Sequence, residues 1–182
     1  MKSILLVVSF IFLFSCADKK KEAIAEQALE IAELKEEVSK NDPRLRVPSY
    51  NFEELSTLLT KDNDTAYVVN FWATWCRPCI KELPAFEKLN ADYSENKVKV
   101  LLVTLDFPDK IEKQVIPFMD KNNIQSEVVL LDDPDSNSWI PKISKDWSGA
   151  IPATIIYKGK AREFYERSFT FEELETELKK IL

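Results

Sequence analysis

Histidine is absent from this 182-residue chain, and cysteine occurs only as Cys16, Cys76 and Cys79. A structural zinc site needs four Cys, His or carboxylate ligands, usually supplied as two separated pairs, and the sequence has no second pair. A catalytic zinc ion bound by Cys76, Cys79 and carboxylates is the one zinc site that the composition leaves open. The pair is otherwise a redox couple or a disulfide that only stabilises the fold.

The apolar run near the N-terminus, residues 4–14, is too short to span a bilayer, which takes ~20 residues. A positive charge precedes this run and Cys16 follows it, so residues 1–15 are predicted to be a signal peptide. Ser15 directly before Cys16 and Leu13 three residues before it resemble the bacterial lipobox, whose cysteine is acylated and becomes the first mature residue. The resemblance implies that Cys16 carries lipid. An ordinary secretory signal with an incidental cysteine, or a weak membrane anchor, is the alternative.

Basic residues are outnumbered by acidic ones. The chain has 25 Lys and Arg against 31 Asp and Glu, and its formal net charge is −6. A protein that binds nucleic acid needs a basic face to neutralise phosphates. Nucleic acid is therefore not expected as a partner.

Glycine and proline are absent from residues 18–41, where Lys, Glu, Ala and Leu predominate. Apolar residues recur there at seven-residue spacing and predict one apolar stripe along a charged helix: Ile24, Ile31 and Val38. Two or three heptads favour a solvated spacer, residues 16–47, over a stable coiled coil. Dimerisation through residues 22–40 is the alternative.

Residues 48–182 are numerous enough to form a domain with its own core. Their apolar pattern predicts strands over 66–72, 97–105, 127–131, 153–157 and 161–167, helices over 52–59, 79–91 and 109–122, and a last helix capped by Thr170 and Glu173. This order predicts an α/β fold with a parallel central sheet and a hairpin at an antiparallel edge. The segment from residue 133 is predicted to be a long connection opened by a polar loop, with Trp139 and Trp147 as packing residues.

The cysteine pair follows the buried strand 66–72 and precedes a helix. Cys76 is expected at the helix N-terminus, where unpaired N–H groups and the helix dipole favour an anion. Its thiol should be acidified and act as the nucleophile, because thiolates attack disulfides and thiols do not. Cys79, one turn further along, is the expected resolving thiol.

Four elements in this order resemble the thioredoxin superfamily: F-W-A-T-W-C-R-P-C at 71–79, Pro84, G-A-I-P-A-T at 149–154, and the strand and hairpin that follow. Among its branches they look most like the membrane-anchored, extracytoplasmic TlpA/ResA-like thiol-disulfide reductases. The resemblance implies a thioredoxin-like fold, a mixed sheet flanked by helices after the N-terminal helical spacer. It also implies disulfide-containing extracytoplasmic proteins as substrates and a membrane thiol transporter as electron donor. No cofactor is expected.

The resemblance also assigns five substrate-binding residues. Trp75 would cover one side of the sulfur pair, and Pro78 would stiffen the loop between the sulfurs. Arg77 would add a cation near the thiolate. Pro152 would follow a cis peptide bond, leaving the backbone of Ile151 to pair with an extended substrate.

Glu82 is predicted to be a further catalytic residue, because the sequence departs from cytoplasmic thioredoxins at Asn70. Asn70 stands where cytoplasmic thioredoxins have a buried Asp, so that proton acceptor is missing. TlpA/ResA-like proteins have Asn there and carry a Glu three residues after the second cysteine, which Glu82 matches. One helical turn beyond Cys79, Glu82 is placed to accept that thiol's proton. An exposed helix carboxylate is the alternative.

The predicted function is reduction of protein disulfides by Cys76 and Cys79 in a lipid-anchored protein that faces the periplasm. An oxidase or isomerase, which inserts or rearranges disulfides, is the alternative enzyme. The chain lacks, however, the His that strongly oxidising relatives commonly carry between their cysteines. A peroxidase would need a Thr three residues before the attacking cysteine, where Ala73 stands. A binding lipoprotein with a permanent disulfide is the non-enzymatic alternative.

Overall fold

The computed structural model describes residues 42–182, of which Pro43–Leu182 form one compact unit. The predicted signal peptide (residues 1–15), the lipidated Cys16 and the helical stripe of residues 24–38 lie outside the described residues. Within the described range, no helix has the length and apolar character needed to cross a membrane.

A six-stranded sheet forms the centre of the unit. Its strands are β1 (Ser49–Tyr50), β2 (Ala66–Trp72), β3 (Val98–Thr104), β4 (Glu127–Leu131), β5 (Ala153–Lys158) and β6 (Ala161–Tyr165). They lie in the order β1-β4-β3-β2-β5-β6. The first four are mutually parallel, β5 is antiparallel to β2, and β6 is antiparallel to β5. The predicted sheet with an antiparallel hairpin at its edge is therefore confirmed.

Helices cover both faces of this sheet. They are α1 (Pro43–Arg46), α2 (Phe52–Leu58), α3 (Arg77–Asp92), α4 (Ile116–Lys121), α5 (Ser136–Ile143) and α6 (Phe171–Lys179). The predicted capping box of the last helix is present, since Thr170 accepts the Glu173 N–H while the Glu173 side chain accepts the Thr170 N–H. The same device begins α2 at Asn51.

Strand β2 is buried along its whole length because it has helices on both faces. Its side chains alternate between two cores. Ala66, Val68 and Trp72 pack with residues of α3 and α6. Tyr67, Val69 and Phe71 pack with residues of α2 and α5. The alternation places Asn70 on the α3 side, as the polar member of an otherwise apolar row.

The connection after β4 differs from the prediction. The segment predicted as a loop contains α5, which buries Trp139 and Ile143. Their four-residue spacing is a helical signal. The polar residues at its start and Pro141 inside the helix oppose that signal in the sequence. Trp139 and Trp147 are each 5% exposed, so their predicted packing role is confirmed.

The helix predicted over 109–122 is also different in detail. The chain forms a 3₁₀ turn at Pro108–Lys110, a π-helical turn at Ile111–Val115 and then α4. Pro117 has no N–H to donate to the carbonyl four residues earlier, so a regular α-helix cannot run through this point without losing that bond. The last strand is shorter than predicted and ends at Tyr165.

Candidate active site

The cysteine pair is a disulfide at the N-terminus of α3. Cys76 and Cys79 have their Cα atoms 5.3 Å apart. Cys76 is 5% exposed and Cys79 is fully buried, so only the first sulfur is accessible to a partner. Cys76 is the N-cap of α3, and the Cys79 N–H donates to its Sγ at 3.3 Å. After reduction, the same N–H and the helix dipole would stabilise a thiolate on Cys76.

A cis peptide bond between Ile151 and Pro152 lies beside this sulfur, as the resemblance predicted. The Ile151 carbonyl oxygen is 3.7 Å from Cys76 Sγ. The preceding loop is held in place by Trp147, whose Nε1 donates to the Ala150 carbonyl at 2.7 Å. Gly149 has φ +92°, and a Cβ atom there would lie 3.0 Å from Ile140 Cδ1, so the loop needs glycine.

The other predicted substrate-binding residues are neighbours of the two cysteines in the chain. Trp75 directly precedes Cys76 and is 62% exposed. Arg77 and Pro78, between the two cysteines, are also exposed and form the first residues of α3. All three side chains are thus open to a partner, and the shielding of the sulfurs by Trp75 stays a prediction.

Glu82 is buried, with 3% of its surface exposed, so the alternative of an exposed helix carboxylate is wrong. Its Oε1 accepts from Asn70 Nδ2 at 2.8 Å, and its Oε2 accepts the Phe169 N–H at 2.9 Å. Asn70 Nδ2 also donates to Thr154 Oγ1 at 3.1 Å, which links this carboxyl to the start of β5. The site therefore joins α3, β2 and β5 through polar groups in an otherwise apolar layer.

Burial dominates the protonation of Glu82. Removal from water raises its pKa from 4.5 to about 7, although the Phe169 N–H, the Asn70 amide and the charge of Arg167 act in the opposite direction. At neutral pH the carboxyl is about half protonated. A pKa near the working pH is what an efficient proton donor or acceptor needs.

A second buried carboxyl near the pair, Asp106, was not predicted. It is 3% exposed and follows the end of β3. Its oxygens accept the Thr74 N–H at 2.8 Å, the Thr74 hydroxyl at 2.6 Å and the Thr104 hydroxyl at 2.7 Å. The carboxyl thereby anchors the loop two residues before Cys76. The available signal was its position just past a buried parallel strand, since the carboxyl ends of such strands meet at one edge of the sheet.

Replacing Asp106 by Asn is expected to lower the free energy of unfolding by about 2–3 kcal/mol, because one of the two oxygens that accept from Thr74 and the buried Thr104 becomes an NH₂ donor. Urea unfolding followed by fluorescence measures the loss. Asp132→Asn is the matched control, since Asp132 is an exposed aspartate directly after β4. A loss in Asp106→Asn no larger than that of the control would contradict an anchoring role.

Among residues 42–182, no group of three or more Cys, His, Asp and Glu side chains is arranged to hold a metal ion. The structure therefore presents no ligand set around Cys76 and Cys79 in the described part of the chain. What the pair has nearby is a buried carboxyl, a helix N-terminus and a backbone carbonyl.

Comparison with known proteins gives consistent matches over this domain. Residues 37–160 match the family model described as AhpC/TSA family. Thioredoxin-like protein YneN of Bacillus subtilis is 31% identical over 138 residues, which is 73% of this chain and 76% of that protein. Thiol-disulfide oxidoreductase ResA of Oceanobacillus iheyensis is 29% identical over 136 residues, 74% of this chain and 66% of that one.

A solved structure shows the same architecture. The crystal structure of StoA from Bacillus subtilis aligns with a TM-score of 0.50 and 25% identity, over 63% of this chain and 83% of that one. The family match includes both cysteines and most of the sheet. The chain therefore belongs to the AhpC/TSA family of thioredoxin-like proteins, as a TlpA/ResA-like thiol-disulfide oxidoreductase.

Proposed function

We propose that this protein reduces disulfides of extracytoplasmic proteins. The Cys76 thiolate attacks a partner disulfide, which forms a mixed disulfide and releases one partner thiolate. Cys79 then attacks Cys76 Sγ, which releases the second partner sulfur and forms the Cys76–Cys79 bond. Two electrons pass from the pair to the partner, and two partner thiols result. The observation that carries this proposal is the N-cap position of Cys76, with the Cys79 N–H on its sulfur.

Glu82 supplies the proton acceptor for the second step. It lies one helical turn after Cys79 on the buried side of α3. The attack by Cys79 requires removal of its proton, because the thiolate is the nucleophile. A carboxyl with a pKa of about 7 can take this proton at neutral pH. Glu82 gives up this proton again when the Cys76–Cys79 disulfide is reduced by the electron donor.

The partner is held through its backbone. The Ile151 carbonyl is 3.7 Å from Cys76 Sγ, and Pro152, which follows it, has no N–H. An extended segment of the partner, with its disulfide at Cys76, can donate an N–H to this carbonyl in the manner of strand addition. Main-chain pairing of this kind positions the sulfur of the partner without requiring a particular sequence in the partner.

The reductive direction is supported by the charges near the pair. A cation close to the thiolate stabilises the reduced form and makes a pair more oxidising, whereas an anion does the opposite. Arg77 is exposed, so water and salt screen its charge. Glu82 is buried, where its charge is screened much less. Of these two side chains, the ionised fraction of the buried Glu82 has the stronger effect and favours a reducing pair, in opposition to the helix N-terminus that stabilises the Cys76 thiolate.

The lipobox-like residues before Cys16 support an extracytoplasmic, lipid-anchored position. The oxidised pair then needs electrons from a membrane thiol transporter, because the compartment outside the cytoplasm does not supply them. The predicted spacer extends to residue 47, but Pro43–Leu182 form one compact unit, so the part before Pro43 would separate the domain from the membrane.

The direction can be tested with one reporter in two states. Reduced protein is mixed without air with a disulfide-bonded reporter protein, and oxidised protein is mixed with the same reporter as a dithiol. We expect near-stoichiometric reduction in the first reaction and little oxidation in the second. The opposite outcome would identify an oxidase. Failure of mild reductant to open the Cys76–Cys79 bond would identify a permanent disulfide.

A further inference from the structure

Two of the large apolar side chains that the described domain exposes belong to loops at the edge of the sheet where the disulfide lies. Across residues 42–182, four large hydrophobic residues are markedly exposed: Leu45, Trp75, Phe107 and Leu182. Phe107 has the highest exposed fraction of the four, 68%, and Trp75 follows with 62%. Phe107 is not explained by core packing and has no part in the exchange steps described above.

The topology brings the loop of Phe107 beside the loop of Trp75. Strands β2 and β3 are parallel, and their last residues, Trp72 and Thr104, are paired. Beyond the strands, the Leu105 N–H donates to the Trp72 carbonyl at 2.8 Å. Trp75 and Phe107 are each the third residue after this pair. Neighbouring strands lie about 4.8 Å apart, so the loops that carry the two aromatic residues leave the same edge of the sheet side by side.

The backbone on both sides of Phe107 is held in place. Asp106, directly before it, binds the N–H and hydroxyl of Thr74, the residue directly before Trp75. Pro108, directly after it, begins a 3₁₀ turn and has a fixed φ. The two aromatic residues are therefore presented from loops that one buried carboxyl ties together. Contact with a preorganised surface costs little ordering entropy.

We propose that Phe107 is a specificity-determining residue for disulfide exchange. Together with Trp75 it forms an apolar platform that receives a large apolar side chain flanking the reacting cysteine of the partner. The occupant follows from the chemistry, because any partner must bring a cysteine-bearing segment to Cys76, the residue next to Trp75. Each residue of an extended segment advances ~3.3 Å, so the residues flanking the cysteine reach this platform.

This inference rests on exchange at Cys76, part of the proposed function, but it holds for either direction of electron flow. The test uses two synthetic peptides that each contain one internal disulfide and differ only in whether Leu or Ser flanks one cysteine. For the wild-type protein we expect kcat/KM to be about tenfold higher with the Leu peptide, since the Leu side chain loses contact with water on the platform. Phe107→Ser is expected to bring this ratio close to one, through a higher KM for the Leu peptide.

Two variants serve as controls. Leu182→Ser removes an exposed leucine at the far end of β5, where the Leu182 carbonyl accepts from Lys158 Nζ, and should keep the ratio. Phe107→Leu retains an apolar side chain and should keep most of it. An unchanged ratio in Phe107→Ser, or an equal loss with both peptides, would overturn the inference.

Running the same peptides as dithiols with oxidised protein separates this inference from the proposed direction. If the protein works as an oxidase, the proposed direction of electron flow is wrong. The preference for the Leu peptide and its loss in Phe107→Ser should nevertheless remain. If reduction is fast but shows no preference between the peptides, the proposed function stands and the role of Phe107 is wrong.

Discussion

A Cys79→Ser variant is expected to accumulate as a covalent mixed disulfide with its partner, whereas Cys76→Ser should form none. Cys76 is the sulfur at the N-terminus of α3 and the one with any exposed surface, so it makes the bond to the partner. Cys79 is fully buried and can only attack the sulfur next to it. Without Cys79 the mixed disulfide has no internal route to resolve. Non-reducing electrophoresis with mass spectrometry detects the adduct.

The size of this effect should be large. Loss of the attacking nucleophile typically removes most of an enzyme's rate, so we expect turnover of Cys76→Ser to fall by roughly 10³-fold or more. Cys16→Ser is the matched control, because the third cysteine is not in the motif and should leave exchange unchanged. Full disulfide exchange in Cys76→Ser would contradict the mechanism, and an adduct in Cys76→Ser but not in Cys79→Ser would reverse the two roles.

Replacement of Glu82 by Gln should change how stability and rate depend on pH. The chain has no histidine, and the two cysteines of the motif do not titrate while they are bonded. Glu82, with a pKa of about 7, is therefore the described carboxyl expected to titrate near neutrality in the oxidised protein. The other described carboxyls with resolved shifts all have lowered pKa values and titrate in acid.

The sign follows from the direction of the shift. The pKa of Glu82 is raised on folding, so between about pH 4.5 and 7 the folded state binds more protons than the unfolded state. Its contribution to stability is complete below the unfolded pKa and is lost as pH rises through 7. A shift from 4.5 to about 7 corresponds to about 3 kcal/mol. The wild-type free energy of unfolding should fall by this order over the window.

Glu82→Gln should remove that fall, and urea unfolding of the oxidised protein at several pH values measures it. Glu95→Gln, a change at an exposed glutamate, should keep the wild-type slope. Glu82→Gln should also slow resolution of the mixed disulfide by roughly 10²-fold at neutral pH and abolish the rate inflection near pH 7. An unaltered slope and an unaltered resolution rate in Glu82→Gln would contradict both the buried proton site and its role.

The regular elements could be predicted where burial decides them. Strand β2 has the predicted bounds, residues 66–72, because a strand with helices on both faces is apolar throughout. The cis bond before Pro152 followed from the resemblance and is present. α5 could not be predicted so directly, since its short apolar face competes with polar residues and an internal proline.

The electrostatics of the site could be predicted only in part. Glu82 was expected from its position after Cys79, but its burial depends on Asn70 and on the Phe169 N–H, 87 residues away in the chain. The hydrogen bonds of the Asp106 carboxyl depend in the same way on Thr74, 32 residues away. Such contacts are made by the packing of distant segments, and no local pattern encodes them.

The reduction potential of the Cys76–Cys79 pair distinguishes a reductase from an oxidase. The purified protein is equilibrated with glutathione and dithiothreitol buffers of known potential, and the fraction of reduced pair is measured by thiol alkylation. We expect a value near or below that of thioredoxin, ~−270 mV, as for a reductase supplied with electrons across the membrane. A value near ~−120 mV, typical of a strong oxidant, would contradict it.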